Sequence, residues 1–407
     1  MSAIFPFAAL RPAPHAAAAV AAVPYDVVNT DEARTLASGN PLSFLHVSRP
    51  EIDLPQGISA HGEAAYELAR ANFNQLRSAA PLVVEETPSF YIYRLHMGGH
   101  VQTGIAACYS IDEYDRDLIK KHEKTRPDKE DDRTRHMLAI GAQTGPVFLT
   151  YRASNAVDNV VSRVVGEPAL FDFSAADGVR HQVWRVPETE NQTVVDAFAK
   201  IESLYIADGH HRAASAARAR QALKKKDSAP SAALGSEADR VLAVAFPDNQ
   251  MQVLPYNRVV SDLRGLTPAA FLDRLKERLT VREGGPAAPA GKGSVAMYLG
   301  GKWHTITFTQ SGFGNALDVD LLQSSILAPV LGIADVRTDK RIDFVGGIRG
   351  TGELERLVDS GRFAVAFSLF PVSVNDLMRI ADAGGIMPPK STWFEPKLRD
   401  GLLSHLI

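Results

Sequence analysis

The chain has one cysteine, Cys108, among its 407 residues. A single thiol excludes an internal disulfide framework and a zinc site built from several thiolates. Cys108 lies in an apolar stretch, where a free cysteine usually packs as a small hydrophobic residue. We therefore predict a buried thiol with a structural role and not a catalytic nucleophile.

Long hydrophobic runs and an excess of charge of one sign are also absent. No apolar run reaches the roughly 18 residues of a transmembrane helix, so no membrane partner is expected. The net charge is −3, from 44 Lys and Arg against 47 Asp and Glu. Broad electrostatic binding to nucleic acid or to anionic lipid is therefore not expected, although a local basic patch is compatible with these numbers.

The N-terminal region contains an alanine-rich segment, residues 16–23, that superficially resembles the core of a signal peptide. Pro6, Pro12 and Pro14 interrupt the approach to this segment, and Arg11 alone is a poor basic region. We therefore predict a cytoplasmic protein.

The composition that remains is that of an ordinary globular protein, with 45% hydrophobic and 22% charged residues. At roughly 150 residues per domain, the length predicts two or three domains. Residues 283–294 are rich in glycine, proline and alanine without periodicity, which is typical of a linker or a long hairpin loop. We place one domain at 1–282 and a second at 295–407.

Strands and helices alternate along the chain, which predicts a mixed α/β (α+β) fold. Helices are predicted at 31–39, 62–79, 112–119, 213–223 and 318–327. Strands are predicted at 40–47, 89–96, 100–110, 147–151, 179–186, from 204 to the turn at 208, and at 241–246, 295–299 and 303–308. Gly98 and Gly99 predict a tight hairpin between two of these strands. Residues 224–239 are polar and predict a surface loop.

The strongest local signal is Ala-Asp-Gly-His-His-Arg-Ala at 207–213, where a strand gives way to an alanine-rich helix. Gly209 allows a tight turn, and the positive end of the helix favours an anion. Arg212 adds planar donors suited to phosphate, and Asp208 is a candidate base. The candidates in this turn are Asp208, Gly209, His210, His211 and Arg212.

The same turn has two other interpretations. Asp208 could simply cap the helix, with two histidines on the surface beside it. Metal ligation by the histidines is less favoured, because adjacent side chains point in different directions and the H-x-x-x-H spacing is absent.

A charged stretch at 120–135 is the second signal, and such runs are usually solvated, salt-bridged segments. Glu123, however, has basic neighbours, among which a carboxylate stays ionised and can accept a proton. The acidic residues of the stretch suit a site for Mg²⁺ and phosphate better than a nucleic-acid groove. The aspartates among these acidic residues are Asp128, Asp131 and Asp132.

The third signal is Met-Pro-Pro-Lys-Ser-Thr at 387–392. Lys390-Ser-Thr resembles the end of a phosphate-binding loop, but prolines stand where the upstream glycines are required, which excludes a P-loop. Packing is the default interpretation of this segment, and contact of Lys390 with phosphate or substrate is the alternative.

Six segments in chain order together resemble one family. They are Pro-Tyr-Asp-Val at 24–27, Asn-Pro-Leu-Ser-Phe-Leu-His-Val at 40–47, His-Glu-Lys-Thr at 122–125 leading to Asp-Arg at 132–133, and the segments at 207–212, 387–392 and 394–397. The chain resembles the domain-of-unknown-function 1015 family, which is related to the ParB/sulfiredoxin-like fold. The turn at 208–212 is also similar to that of free serine kinases, where it lies against the nucleotide phosphates.

The resemblance implies a ParB/sulfiredoxin-like catalytic core with an N-terminal elaboration over 1–282, and a C-terminal α/β domain over 295–407 that contributes the 387–392 segment. It implies an ATP- and Mg²⁺-dependent kinase that converts free L-serine to O-phospho-L-serine.

A mechanistic hypothesis follows for the individual residues. The nucleotide phosphates would lie at Gly209, His210, His211 and Arg212. Glu123 would accept the proton of the serine hydroxyl and Asp208 would orient the hydroxyl or the metal, or the two would exchange roles. Contacts to substrate or to the transferred phosphoryl group are assigned to His122, Thr125, Arg126, Arg133 and Lys390.

Several alternatives stay open at this point. The chain could be a ParB-like nucleotide-binding regulator without kinase activity, although no basic helix-turn-helix module is recognisable. The acceptor could be another small hydroxylated metabolite, and the donor could be ADP instead of ATP. Whether the protein forms a homodimer is also open.

Overall fold

The computed structural model describes residues 2–55, 57–80, 82–226, 237–308 and 316–407. The chain forms two compact units, Met1–Met251 with Pro396–Ile407, and Gln252–Glu395. The segment 283–294 lies within the second unit. The predicted loop at 224–239 lies largely in residues 227–236, outside the described part of the chain.

The first unit is built on a mixed sheet. Its strands and those of the small pairs beside it are β1 Ile4–Phe5, β2 Leu10–Arg11, β3 Val83–Val84, β4 Tyr91–Met97, β5 His100–Ser110, β6 Ile119–Lys120, β7 Ala142–Gln143, β8 Val147–Tyr151, β9 Phe171–Ser174, β10 Arg180–Arg185, β11 Leu204–Asp208 and β12 Arg240–Pro247. Within the described residues, nine strands form the sheet in the order β6-β11-β8-β12-β5-β4-β10-β9, with β1 paired to β5. β12 runs parallel to β8, whereas β11 is antiparallel to β8.

Helices of the first unit bury an apolar face. They are α1 Ala17–Val20, α2 Thr30–Ala37, α3 Leu45–Ser48, α4 Glu63–Ala79, α5 Ile111–Asp115, α6 Pro127–Ile140, α7 Asn155–Val164, α8 Asn191–Phe198 and α9 His210–Lys226. In α4 the buried residues Ala65, Ala69, Phe73 and Leu76 recur at intervals of three and four, as an amphipathic helix requires. α9 packs on α6, which brings the 120–135 segment to the turn at 208–212.

The second unit is a sheet with its own helices. Its strands are β13 Gln252–Leu254, β14 Tyr256–Val260, β15 Thr280–Glu283, β16 Ser294–Leu299, β17 Lys302–Thr307, β18 Ile342–Gly346, β19 Val365–Ser368 and β20 Trp393–Glu395. Its helices are α10 Pro268–Lys276, α11 Asp318–Leu322, α12 Gly350–Asp359 and α13 Val374–Asp382. The sheet order is β15-β17-β16-β19-β14-β18, so residues 284–293 connect two strands of one sheet.

The last segment of the chain returns to the first unit. Its strand β21, His405–Leu406, pairs with β7. Single bridges also join Ser404 to Leu10 and Asp400 to Ala22. Residues 396–407 are thus held by the N-terminal part of the first unit.

The mixed α/β class is confirmed, as are the β4–β5 hairpin, the β16–β17 hairpin, and the strand–turn–helix around Gly209. Cys108 is fully buried, as predicted. No helix in the described ranges is long and apolar enough to cross a membrane.

Two local predictions are wrong. Residues 40–47 do not form a strand, because the Asn40 side-chain oxygen accepts the Leu42 N–H at 3.1 Å and starts a turn that leads into α3. The helix predicted at 112–119 ends at Asp115, because Asp117 takes a left-handed conformation with φ 60°. The chain then enters β6 beside β11.

Candidate active site

The candidate site begins where β11 ends at Asp208 and α9 begins at His210. Gly209 between them has φ +93°, and a Cβ there would lie 3.1 Å from the Arg212 Nε. A glycine is therefore required for the turn. The Gly209 N–H donates to Asp208 Oδ1 at 3.0 Å, and the positive end of a 17-residue helix faces the same place.

Two cations hold the Asp208 carboxylate. Lys397 Nζ donates to Asp208 Oδ2 at 3.0 Å, and an Arg212 terminal nitrogen lies 3.5 Å from the same oxygen. Burial by itself would raise the pKa of Asp208, but Lys397 and Arg212 outweigh it and hold this pKa well below its usual range. Asp208 is thus ionised and a weak proton acceptor.

Arg212 connects the turn to the N-terminal part of the chain. Its side chain is buried, donates to the Pro146 carbonyl, and lies 3.5 Å from Asp26 Oδ2. Burial alone would lower the pKa of Arg212, but Asp26 and Asp208 raise it above its ordinary value. The guanidinium is therefore a permanent positive charge within the site.

Two histidines pack against each other beside Asp208. The rings of His122 and His210 meet edge-on with centroids 4.4 Å apart, and both side chains are buried. Burial lowers the pKa of His122 to about 4. Burial, followed by the neighbouring His122, also lowers the pKa of His210 far below its usual value. Both rings are therefore neutral at pH 7.

The neutral His210 ring has a defined tautomer. Its Nε2 accepts the His122 backbone N–H at 3.4 Å, so the ring proton belongs on Nδ1. His210 Nδ1 lies 4.0 Å from Glu123 Oε2. His210 therefore presents a donor towards the Glu123 carboxylate.

The buried neutral His122 predicts acid sensitivity. Its pKa is about 4 in the folded protein against 6.5 as the ordinary value, so between these values the unfolded chain binds a proton that the folded protein does not. Stability is therefore full above pH 6.5 and falls as the pH drops towards 4, by about 3 kcal/mol at roughly 1.4 kcal/mol per pH unit. The measurement is urea unfolding at several pH values between 4 and 6.5. In His122→Gln, the slope of the unfolding free energy against pH should be smaller by the contribution of one proton, about 1.4 kcal/mol per pH unit. An unchanged slope would contradict this assignment.

The other predicted residues make contacts of their own. His211 Nε2 accepts the Arg126 N–H at 3.0 Å, whereas the Arg126 guanidinium is exposed and binds Asp128 at 2.8 Å. Thr125 donates to Glu130. Lys390 belongs to the second unit, where it has φ 59° and its Nζ lies 5.5 Å from the centroid of the Tyr256 ring.

Arg133 lies on the Tyr25 ring at 4.4 Å and binds Asp132 at 2.7 Å. The carboxylate of Asp132 also accepts from His61 and Tyr66, each at 2.8 Å. Asp131 pairs instead with Arg218 at 3.1 Å. Across the ranges that the structure describes, no group of three or more His, Cys, Asp or Glu residues could hold a metal ion.

Three residues of this region were not among the site residues predicted from the sequence. They are Asp26, Lys397 and Asp400. Asp26 and Lys397 stand in segments that carry the family resemblance, at 24–27 and 394–397, and that is the signal that could have identified them. Asp400 has no comparable signal, and its 2% exposure is visible only in the folded chain.

Comparison with solved structures finds distant similarity. The chain is similar to a free serine kinase in complex with AMP, at 16% identity and TM-score 0.37, covering 73% of this chain and 92% of that chain. It is also similar to a conserved hypothetical protein from Pyrococcus furiosus, at 16% identity and TM-score 0.38, covering 73% and 94%. A C-terminally truncated SbnI from Staphylococcus aureus gives 13% identity and TM-score 0.38, covering 72% and 85%.

The curated proteins contain no match to this chain. A family model does match, over residues 4–330, and its description is protein of unknown function, DUF1015. Since the match covers most of the chain, the protein belongs to the DUF1015 family.

Proposed function

We propose that this protein is an ATP-dependent kinase that phosphorylates the hydroxyl group of free L-serine to give O-phospho-L-serine. The observation that carries the proposal is the cluster at the start of α9. The N-terminus of this helix lies beside two buried cations, Lys397 and Arg212. The Glu123 carboxylate lies near the neutral His210 ring in the same cluster. Such a combination offers both an anion site and a proton acceptor.

The anion site would receive the nucleotide phosphates. Backbone N–H groups at a helix N-terminus bind phosphate oxygens, and the Gly209 turn lets the backbone approach closely. Arg212 and Lys397 supply positive charge that is fixed before the substrate arrives, and such charge stabilises a phosphoryl group during transfer. Both cations are buried, with 8% and 10% side-chain exposure, so water screens them little.

The two candidate bases differ in their surroundings. Asp208 is held ionised by Lys397 and Arg212, which makes it a poor proton acceptor. Glu123 faces a neutral ring that can orient its carboxylate without neutralising its charge. We therefore propose that Glu123 is the general base. Asp208, with Lys397 and Arg212, would position the phosphates and the hydroxyl.

The proposed reaction transfers the γ-phosphoryl group of ATP to the serine hydroxyl. The serine hydroxyl gives its proton to the Glu123 carboxylate while its oxygen forms a bond to the γ-phosphorus. The bond between that phosphorus and the β,γ-bridging oxygen breaks, and ADP leaves with this electron pair. The proton on Glu123 is then released to solvent.

Magnesium fits this scheme as part of the nucleotide complex. Mg²⁺ usually keeps several waters and takes one or two protein carboxylates beside phosphate oxygens, so a dedicated cluster of ligands is not needed. Asp208, which stays ionised, would be the residue to hold it, and the ion would offset the charge of the phosphates.

The test is a phosphorus NMR time course with purified protein, ATP, Mg²⁺ and L-serine, repeated with ADP as donor. Growth of a phosphoserine signal together with loss of the γ-phosphate signal supports the proposal. ATP binding by calorimetry with no transfer to L-serine would contradict it. That result would favour another acceptor or a nucleotide-binding regulator.

A further inference from the structure

The loop that carries Glu123 lies between β6 and α6, at residues 121–126. Both of its ends are attached to the strand–turn–helix of the candidate site. At one end, β6 pairs with β11. At the other, the Ser215 hydroxyl of α9 donates to the Glu130 backbone carbonyl at 3.1 Å, and Arg218 of α9 lies 3.4 Å from the Glu130 carboxylate. The place of Glu123 therefore depends on what holds the loop between these two ends.

Two adjacent histidines at the start of α9 hold the loop there. His210 Nε2 accepts the His122 backbone N–H at 3.4 Å, and His211 Nε2 accepts the Arg126 backbone N–H at 3.0 Å. Neighbouring positions on an α-helix are about 100° apart around its axis, so the two rings can reach different points of one loop. The two N–H groups stand on either side of Glu123 in the sequence. The histidines thus fix the stretch of backbone that bears this side chain.

The hydrogen bond to His211 has no substitute within the described part of the chain. Arg126 is the residue directly before α6, and the first N–H groups of a helix have no acceptor inside it. The bond also defines the state of the His211 ring, because a ring nitrogen that accepts an N–H is unprotonated. With its lone pair in this bond, His211 Nε2 cannot donate to a phosphate oxygen.

We propose that His211 is a positioning residue for the general base: together with His210 it holds the backbone at 122–126 so that Glu123 reaches the acceptor hydroxyl. This role rests on the proposed function, in which Glu123 is the base. The sequence-based hypothesis placed the nucleotide phosphates at both histidines. The phosphates would instead contact the backbone N–H groups of the turn and the cations beside it, and His211 would act only through the loop.

The first experiment compares His211→Leu with His211→Gln. Leucine removes the acceptor, whereas glutamine can place an acceptor oxygen close to the position of Nε2. We expect His211→Leu to reduce the turnover number for L-serine phosphorylation by roughly 10- to 100-fold, as displacement of a catalytic group by about 1 Å predicts. His211→Gln should recover most of this loss. ATP affinity, measured by calorimetry, should stay within about 3-fold of wild type in both variants, because the phosphates contact the helix N-terminus and its cations.

The second experiment measures amide hydrogen exchange at the Arg126 N–H and needs no catalysis. We expect exchange to be at least about 5-fold faster in His211→Leu than in wild type, because the opened N–H meets water, and close to wild type in His211→Gln. His15→Leu replaces an exposed histidine before α1 and is the matched control, which should leave exchange, turnover and ATP affinity unchanged. Circular dichroism checks that each variant is folded.

Three results would count against parts of this scheme. ATP binding weakened at least about 10-fold in His211→Leu, with unchanged exchange at Arg126, would place the ring on the phosphates and overturn the proposal. Unchanged turnover in His211→Leu, while wild type forms phosphoserine, would overturn it and leave the proposed function standing. No phosphoserine with wild type would contradict the proposed function instead. In that case faster exchange at Arg126 in His211→Leu would still support the hold on the loop, and unchanged exchange would overturn it.

Discussion

Replacing Glu123 with glutamine is expected to reduce the turnover number for L-serine phosphorylation by about 10²- to 10⁴-fold, the usual contribution of a general base. Glutamine keeps the size of the side chain and can still contact His210, but it cannot take the hydroxyl proton. The measurement is the initial rate of phosphoserine formation at saturating ATP and L-serine.

The affinity for ATP shows whether Glu123→Gln has lost only the general base or has disrupted the whole site. ATP binding by Glu123→Gln should stay within about 3-fold of wild type, because the phosphates are assigned to α9 and its cations. Glu67→Gln, an exposed substitution on α4, is the matched control and should retain full turnover. Full turnover in Glu123→Gln would contradict the assignment of Glu123 as the base. Asp208 would then be the remaining candidate, although Lys397 and Arg212 make it a weak proton acceptor.

Replacing Lys397 with methionine is expected to lower the free energy of unfolding by about 2–4 kcal/mol at pH 7, because removing one partner leaves a buried charge poorly compensated. Asp208 would keep the hydrogen bond from the Gly209 N–H and the Arg212 guanidinium at 3.5 Å, but it would lose the nearer cation. Burial would then raise the Asp208 pKa towards its usual range. Urea denaturation measures the change in stability directly.

A double variant identifies the cause of that loss. Asp208→Asn combined with Lys397→Met removes both charges and should recover most of the stability lost in the single variant, since neither charge is then left unpaired. Lys200→Met, at an exposed position, should change stability by less than about 0.5 kcal/mol. An equal loss in the single and double variants would show that Lys397 acts through packing and not through its charge.

Elements with strong local signals could be predicted from the sequence. The apolar run of β8 between turn signals and the strand–glycine–helix at 204–226 needed no tertiary information. The prediction for 40–47 was wrong because its apolar residues alternate only loosely. The turn there depends on a single hydrogen bond, which the Leu42 N–H donates to the Asn40 side-chain oxygen.

The site was predictable where it is local in sequence. Asp208, His210 and Arg212 lie within one turn, and His122 and Glu123 belong to one short motif. Nothing in the sequence states that Lys397 meets Asp208, 189 residues earlier in the chain. Nor does it identify Asp400, whose importance depends on burial beside Gly145 and Arg212.

The division of the first unit into two stretches of sequence has a consequence for biosynthesis. Lys397 and Asp400 follow the whole of the second unit in the chain, so the ribosome synthesises them after that unit. Lys397 follows Asp208 by 189 positions in the chain. At a translation rate of about 5–20 residues per second, Lys397 is therefore synthesised about 10 to 40 s after Asp208. If the proposed nucleotide site is correct, we expect the nascent chain to bind nucleotide weakly during this interval and more tightly once β21 pairs with β7.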